Sequence, residues 1–199
     1  KLIDHYNNDY RETESIIRLK KKKVIDLPIR FEWTGKSFSR FYTFYQIINK
    51  KIKFKKNDKI LDYGCYQGAF LFACKKIFGA KVIGTDFNEE GLRMAENFFN
   101  IETFKTNENF FLKKINAKMI TLLHVFEHLE DPINFLYKIK KNCLKKNGYV
   151  YLEVPNPFSN SLNDPTHLNL YSEDTIRYIL KSCNYEIHTL KKQGNYKNT

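Results

Sequence analysis

What most constrains this chain is a regular alternation, starting at Lys59, of short apolar runs with longer stretches of helical periodicity. Residues 59–63, 81–85, 101–104, 119–123 and 149–154 read as strands, and 185–190 as a further one. Between and after them, residues 68–78, 89–99, 132–144 and 172–182 space their apolar side chains as helices do. Strands separated by helices are joined by crossovers, and crossovers make parallel neighbours. The expected fold class is therefore α/β, a mostly parallel sheet with helices on both faces. Sheets of this kind bind ligands at the carboxyl ends of their strands, near the point where strand order switches. The residues to examine are those just past each strand: 62–68, Asp86, 124–128 and 155–160.

Residues 1–50 lack this alternation. A charged helix is expected over 9–23, a loop around Pro28 and Gly35, and a second helix over 39–51. The expected division is an N-terminal helical cap segment, 1–52, and a single compact unit, 53–199. Trp33, Phe38, Phe41, Tyr42 and Tyr45 form an aromatic stripe that suits core packing, a cover over a ligand, or some of each.

Composition removes several classes. An apolar fraction of 42% with 16% aromatics excludes a disordered chain. No apolar run approaches the roughly 20 residues of a membrane span, and no cationic stretch followed by an apolar one opens the chain, so a soluble cytoplasmic protein is expected. Cys65, Cys74, Cys143 and Cys183 show no C-x-x-C spacing and read as reduced packing residues. The net charge of +12 would suit nucleic acid or an anionic substrate, but its lysines are dispersed over 20–23, 50–56, 138–146 and 191–192. A solvated surface is the default for such a distribution, and nucleic acid is not the expected partner.

The most informative stretch is Asp62-Tyr63-Gly64-Cys65-Tyr66-Gln67-Gly68, between the first strand and the first helix. Glycines there allow unusual backbone angles and close approach, and the helix that follows points its first amides at the cleft. Asp86, 18 positions after Gly68 at the end of the second strand, can accept bonds from both hydroxyls of a ribose. The spacing is not the G-x-G-x-x-G that a dinucleotide pyrophosphate requires.

This pattern resembles the first loop of the class I S-adenosylmethionine-dependent methyltransferases, acidic-x-Gly-x-Gly-x-Gly, with Tyr66 at the middle glycine. Residues 122–132, which contain Glu127-His128-Leu129 and Asp131-Pro132, resemble the segment after the family's fourth strand; 151–157 resemble its fifth. The resemblance covers roughly 58–190. It implies a Rossmann-like domain, S-adenosylmethionine as cofactor, and a cofactor site made of Asp62, Gly64, Cys65, Tyr66, Gln67, Gly68, Asp86, Phe87 and His124. Phe87 suits either adenine or the core.

For a hydroxyl acceptor a general base helps, and histidine suits neutral pH. His124, His128 and His167 are the candidate catalytic residues. His124 and His167 read equally well as loop residues, and Glu127 as a charge complementing a helix start. The same residues are similar to the Glu-x-x-Glu-His segment and later His by which a small group of RNA 3′-end 2′-O-methyltransferases bind a divalent ion. His124 replaces the first Glu here, and hard cations prefer oxygen, so no metal is expected. The expected function is O-methylation of a small polar acceptor such as a sugar, sugar phosphate or surface-glycan precursor. RNA 2′-O-methylation, with or without a metal, and a non-catalytic cofactor-binding role are the alternatives.

Overall fold

The computed structural model describes residues 36–107, 110–112, 114–157 and 164–192. The helix expected over 9–23 and Trp33 lie outside them. The described elements are α1 (Lys36–Ile48), β1 (Lys59–Tyr63), α2 (Ala69–Phe78), β2 (Lys81–Asp86), α3 (Glu89–Phe99), β3 (Glu102–Lys105), β4 (Ala117–Leu123), α4 (Pro132–Asn142), β5 (Leu144–Glu153) and α5 (Glu173–Ser182). The five strands form one sheet in the order β3-β2-β1-β4-β5, and each neighbouring pair is parallel. The expected α/β class holds. Strand order switches between β1 and β4, so the crevice at their carboxyl ends is the natural ligand position.

Local sequence explains where the elements start and stop. Asn88 caps α3 by accepting from Gly91 N–H, Asp131 caps α4 from Asn134 N–H, and Ser172 caps α5 from Thr175 N–H. Pro132 takes the first turn of α4, where a missing amide costs nothing. α2 ends on Gly79 in the left-handed conformation, φ 63°.

The sheet is covered on both sides, and successive strand residues face opposite cores. Ile60, Val82 and Met119 join one cluster with Phe70, Leu71, Leu92 and Phe99; Leu61, Ile83 and Ile120 join the other with Phe135, Leu136, Ile176 and Ile179. α1 belongs to the first cluster. Its Phe44 is fully buried, 5.1 Å from the Phe70 ring and 4.9 Å from Tyr151, and Phe41 packs on Phe70 and Phe78. Phe41 and Tyr45 are therefore core packing, while Tyr42 is exposed.

Two expectations are corrected. Residues 185–190 form no strand: Tyr185 packs on the second cluster and its hydroxyl donates to Leu136 O, while Lys140 Nζ donates to Cys183 O and Asn184 O. The alternating pattern there was satisfied by packing against α4, without a backbone partner. Glu127 does not open a helix. It lies in a 3-10 turn, Phe126–His128, and α4 begins later behind its own Asp131 cap. All four cysteines are free and buried, as read from their spacing. Among the described residues no helix is long and apolar enough to cross a membrane.

Candidate active site

Two groups of side chains meet at the carboxyl edge of the sheet. The first surrounds the loop between β1 and α2. Gly64, Tyr66 and Gly68 are all left-handed, at φ 83°, 47° and 77°. Tyr66 thus holds a left-handed backbone that glycine adopts freely, at a cost of about 1–2 kcal/mol for a residue with a β-carbon. The loop is tied to β2: Gly64 N–H and Cys65 N–H both donate to Thr85 O, and Tyr66 N–H donates to Asp86 Oδ2 at 2.7 Å. Asn88 N–H donates to the other oxygen, Oδ1, at 2.8 Å. Each Asp86 oxygen accepts one of these amides and keeps lone-pair capacity for a second donor, which is what two ribose hydroxyls require. Burial raises the Asp86 pKa, and the amides of Asn88, Tyr66 and Phe87 only partly oppose it.

The glycines are needed for packing as much as for ligand approach. A β-carbon on Gly64 would collide with the Val125 methyl beyond β4, and one on Gly68 would lie 2.8 Å from both Ala95 and Ile101. Cys65 turns its side chain into the core, against Gly84 of β2, so only its backbone faces the loop. The Gln67 side-chain amide nitrogen is buried without a hydrogen-bond partner, a donor awaiting an acceptor. Phe87 is half-buried in the bend after β2 and belongs to neither core cluster. Asp62 lies deeper, on β1 and 2% exposed, accepting from Thr121 Oγ1 at 2.6 Å. Burial pushes its pKa up to about 7, Thr121 opposing, with smaller effects from Asp86 (raising) and Arg40 (lowering).

The second group lies beyond β4 and β5. His124, at the end of β4, is left-handed (φ 56°), and its N–H donates to Glu153 O, which extends the ladder by one bond. Such a conformation in a non-glycine residue marks a position held by its surroundings. Its ring nitrogens face two carboxylates: Nδ1 is 3.3 Å from Glu127 Oε1, and Nε2 is 3.2 Å from Glu153 Oε1. Burial favours the neutral ring, but the two carboxylates outweigh it and raise the His124 pKa above the ordinary value. Glu153 is also 3.6 Å from Arg40 Nε of α1.

Glu127 is 1% exposed, and neither of its oxygens accepts a hydrogen bond. His128 Nε2 and His167 Nε2 approach its Oε1 at 3.9 and 4.0 Å. His167 is 10% exposed, so it is not a surface loop residue. The fold therefore brings His124, His128 and His167 around one buried carboxylate. Glu153 and Arg40 complete this edge and were missed in the sequence. Glu153 was recoverable as the last residue of β5, whereas Arg40 has no local signal, since only the docking of α1 brings it there.

The comparisons with known proteins agree on the family. Residues 39–190 match the model of a family described as a methyltransferase domain. A stretch of 96 residues is 26% identical to the ribosomal protein L11 methyltransferase of Chromobacterium violaceum, covering 48% of this chain and 32% of that protein. The chain thus matches about a third of the length of this curated relative. Among solved structures, a SAM-dependent methyltransferase from Archaeoglobus fulgidus is 27% identical with a TM-score of 0.61, over 77% of this chain and 71% of that one. Another, from Aquifex aeolicus, shares the fold at 22% identity and a TM-score of 0.59, over 83% of this chain and 87% of that one. With the match running from within α1 to beyond α5, the chain belongs to the methyltransferase-domain family and has the class I, Rossmann-like fold of the enzymes that use S-adenosylmethionine.

Proposed function

We propose that this chain transfers a methyl group from S-adenosylmethionine to a hydroxyl oxygen of a small polar acceptor, such as a sugar or sugar phosphate. The observation that carries the reading is His124, set between the Glu127 and Glu153 carboxylates at the end of β4. S-adenosylmethionine supplies an activated methyl on a sulfonium leaving group, so the protein's task is alignment, exclusion of water and removal of one proton. Asp86, the Gly64–Gly68 backbone and the Gln67 amide would hold the nucleoside and amino-acid parts. Glu127 Oε1, 3.3 Å from His124 Nδ1, would draw the ring proton to that nitrogen with a small adjustment of the ring, which leaves Nε2 to take the acceptor's proton. Glu153 can yield that nitrogen because Arg40 offers it another partner. A buried carboxylate behind the ring also stabilises the imidazolium formed when the proton arrives.

A screen of sugars and sugar phosphates for cofactor consumption identifies the acceptor. His124→Ala should then retain cofactor affinity by calorimetry and lose about 10²–10⁴-fold in turnover. Near-normal turnover in a folded variant would remove His124 as the base.

A further inference from the structure

We propose that the amino-terminal edge of the sheet is a peripheral docking face for an anionic phospholipid surface, with the edge that carries His124 turned away from it. The charge of +12 reads as dispersed along the sequence, but the fold sorts it. Lys53, Lys55 and Lys56 precede β1, and β2 starts on Lys81. Lys114 leads into β4, and Lys145 and Lys146 follow the first residue of β5; all of these lysines are exposed. Parallel register sets the strand starts side by side, with Lys59 opposite Lys81, Ile60 opposite Met119 and Ala117 opposite Leu144. Helices run back against the strands, so α2 and α4 end at this same edge, one on each face of the sheet. They bring Lys76 and Lys141 in their last turns, both exposed.

From β2 to β5 the strand starts hold one acid. Asp58 is 8% exposed, and its Oδ2 accepts from Lys55 N–H and from Lys118 Nζ, both at 2.8 Å, with Lys145 Nζ 3.7 Å from Oδ1. One carboxylate already held by Lys118 does not neutralise the lysines around it. The basic face stops at β3, which opens on Glu102. The opposite edge carries the reverse sign, with Asp62, Asp86, Glu127 and Glu153 near or just past the strand ends. Like charges gathered on one edge repel one another, and an anionic partner turns that repulsion into attraction.

The make-up of the face selects a lipid surface over nucleic acid. Its cations span four neighbouring strands, about 14 Å at 4.8 Å per interval, and continue onto the helical layers above and below. They therefore form a face and not a track. They are lysines, point charges suited to the diffuse attraction of an anionic leaflet, whereas readout of nucleic acid favours the arginine fork. Ile77, 53% exposed beside Lys76, adds an apolar side chain that can enter the headgroup layer. The 7 residues of β4 put about 20 Å between this face and His124, so what docks here anchors the protein and is not the methyl acceptor.

The test is co-sedimentation of the full chain with vesicles of phosphatidylcholine alone and of an equal mixture of phosphatidylcholine and phosphatidylglycerol. The chain should bind only the anionic vesicles. It should leave them as salt rises from about 0.1 to about 1 M, where the screening length falls from about 10 to about 3 Å. Each lysine beside an anionic leaflet contributes roughly a fivefold gain in partition, so the triple variant Lys56→Gln, Lys81→Gln, Lys146→Gln should lose about a hundredfold. A matched variant, Arg93→Gln, Lys105→Gln, Lys138→Gln, removes the same charge elsewhere and should lose less than about fivefold. Calorimetry with S-adenosylmethionine checks that both are folded. If the first triple variant does not fold, Lys56→Gln and Lys146→Gln are measured singly, each with a loss of about fivefold expected. Equal binding to neutral vesicles, no binding to anionic ones, or equal losses in the two triple variants would overturn the docking face. Binding of a duplex RNA oligonucleotide that depends on Lys56, Lys81 and Lys146, without vesicle binding, would overturn it in favour of nucleic acid. None of these results touches methyl transfer, which is tested at His124 and with the acceptor.

Discussion

Replacing Asp62 with Asn should make the protein more stable at alkaline pH and leave it nearly unchanged at acid pH. Asp62 is 2% exposed on β1, and burial raises its pKa from 3.8 to about 7. An acid whose folded-state pKa is raised contributes its full stability below the unfolded value of 3.8, and that contribution is lost as pH rises through about 7. At about 1.4 kcal/mol per pKa unit, the whole effect is about 4 kcal/mol, a large part of a typical domain's stability. Asn keeps a carbonyl oxygen for Thr121 Oγ1, which now donates to Asp62 Oδ1 at 2.6 Å, but cannot ionise. Urea unfolding of both proteins should therefore give curves that coincide near pH 4 and separate progressively towards pH about 8, with the variant above. A difference that stays constant across this range would refute the reasoning, because a packing or hydrogen-bond effect has no reason to titrate. A wild type that gains stability with pH relative to Asp62→Asn would show that the carboxylate is held ionised instead.

Asp86→Ala should weaken S-adenosylmethionine at least tenfold by calorimetry, since it removes ribose acceptors and also the anchor of Tyr66 and Asn88 N–H. Affinity unchanged in a folded variant would take Asp86 out of the site. Gly64→Val should abolish cofactor-induced thermal stabilisation, because its side chain collides with Val125 at a left-handed position. Val125→Ala in the same chain should recover part of the fold stability but not the strained φ, and full recovery of cofactor stabilisation would show that packing alone is at stake. Phe44→Ala should cost about 3–5 kcal/mol in chemical unfolding, as expected for a fully buried ring packed on Phe70 and Tyr151. A loss below about 1 kcal/mol would mean that α1 is a loosely docked cover rather than part of the core.

The architecture was legible because its signals are short-range. Apolar periodicity in 59–63, 81–85 and 119–123 marks buried strands, helical spacing in 68–78, 89–99, 132–144 and 172–182 marks helices, and a strand–helix alternation leaves parallel connectivity as the outcome. The loop from Asp62 to Gly68 and the acidic end of β2 were legible for the same reason, since turn chemistry is written in consecutive residues. Residues 185–190 show the limit of that reasoning, because an alternating pattern does not say whether a neighbouring strand is available. The environment of the candidate site was decided only in three dimensions. Parallel connectivity brings the ends of β4 and β5 to one edge, so His124 meets Glu153 across 29 positions, and a loop returns His167 to Glu127. The docking of α1 adds Arg40, and packing buries Glu127 to 1% exposure. A residue's type and spacing are local, but the cost of burying its charge depends on what the rest of the chain places around it, and that is a property of the tertiary structure alone.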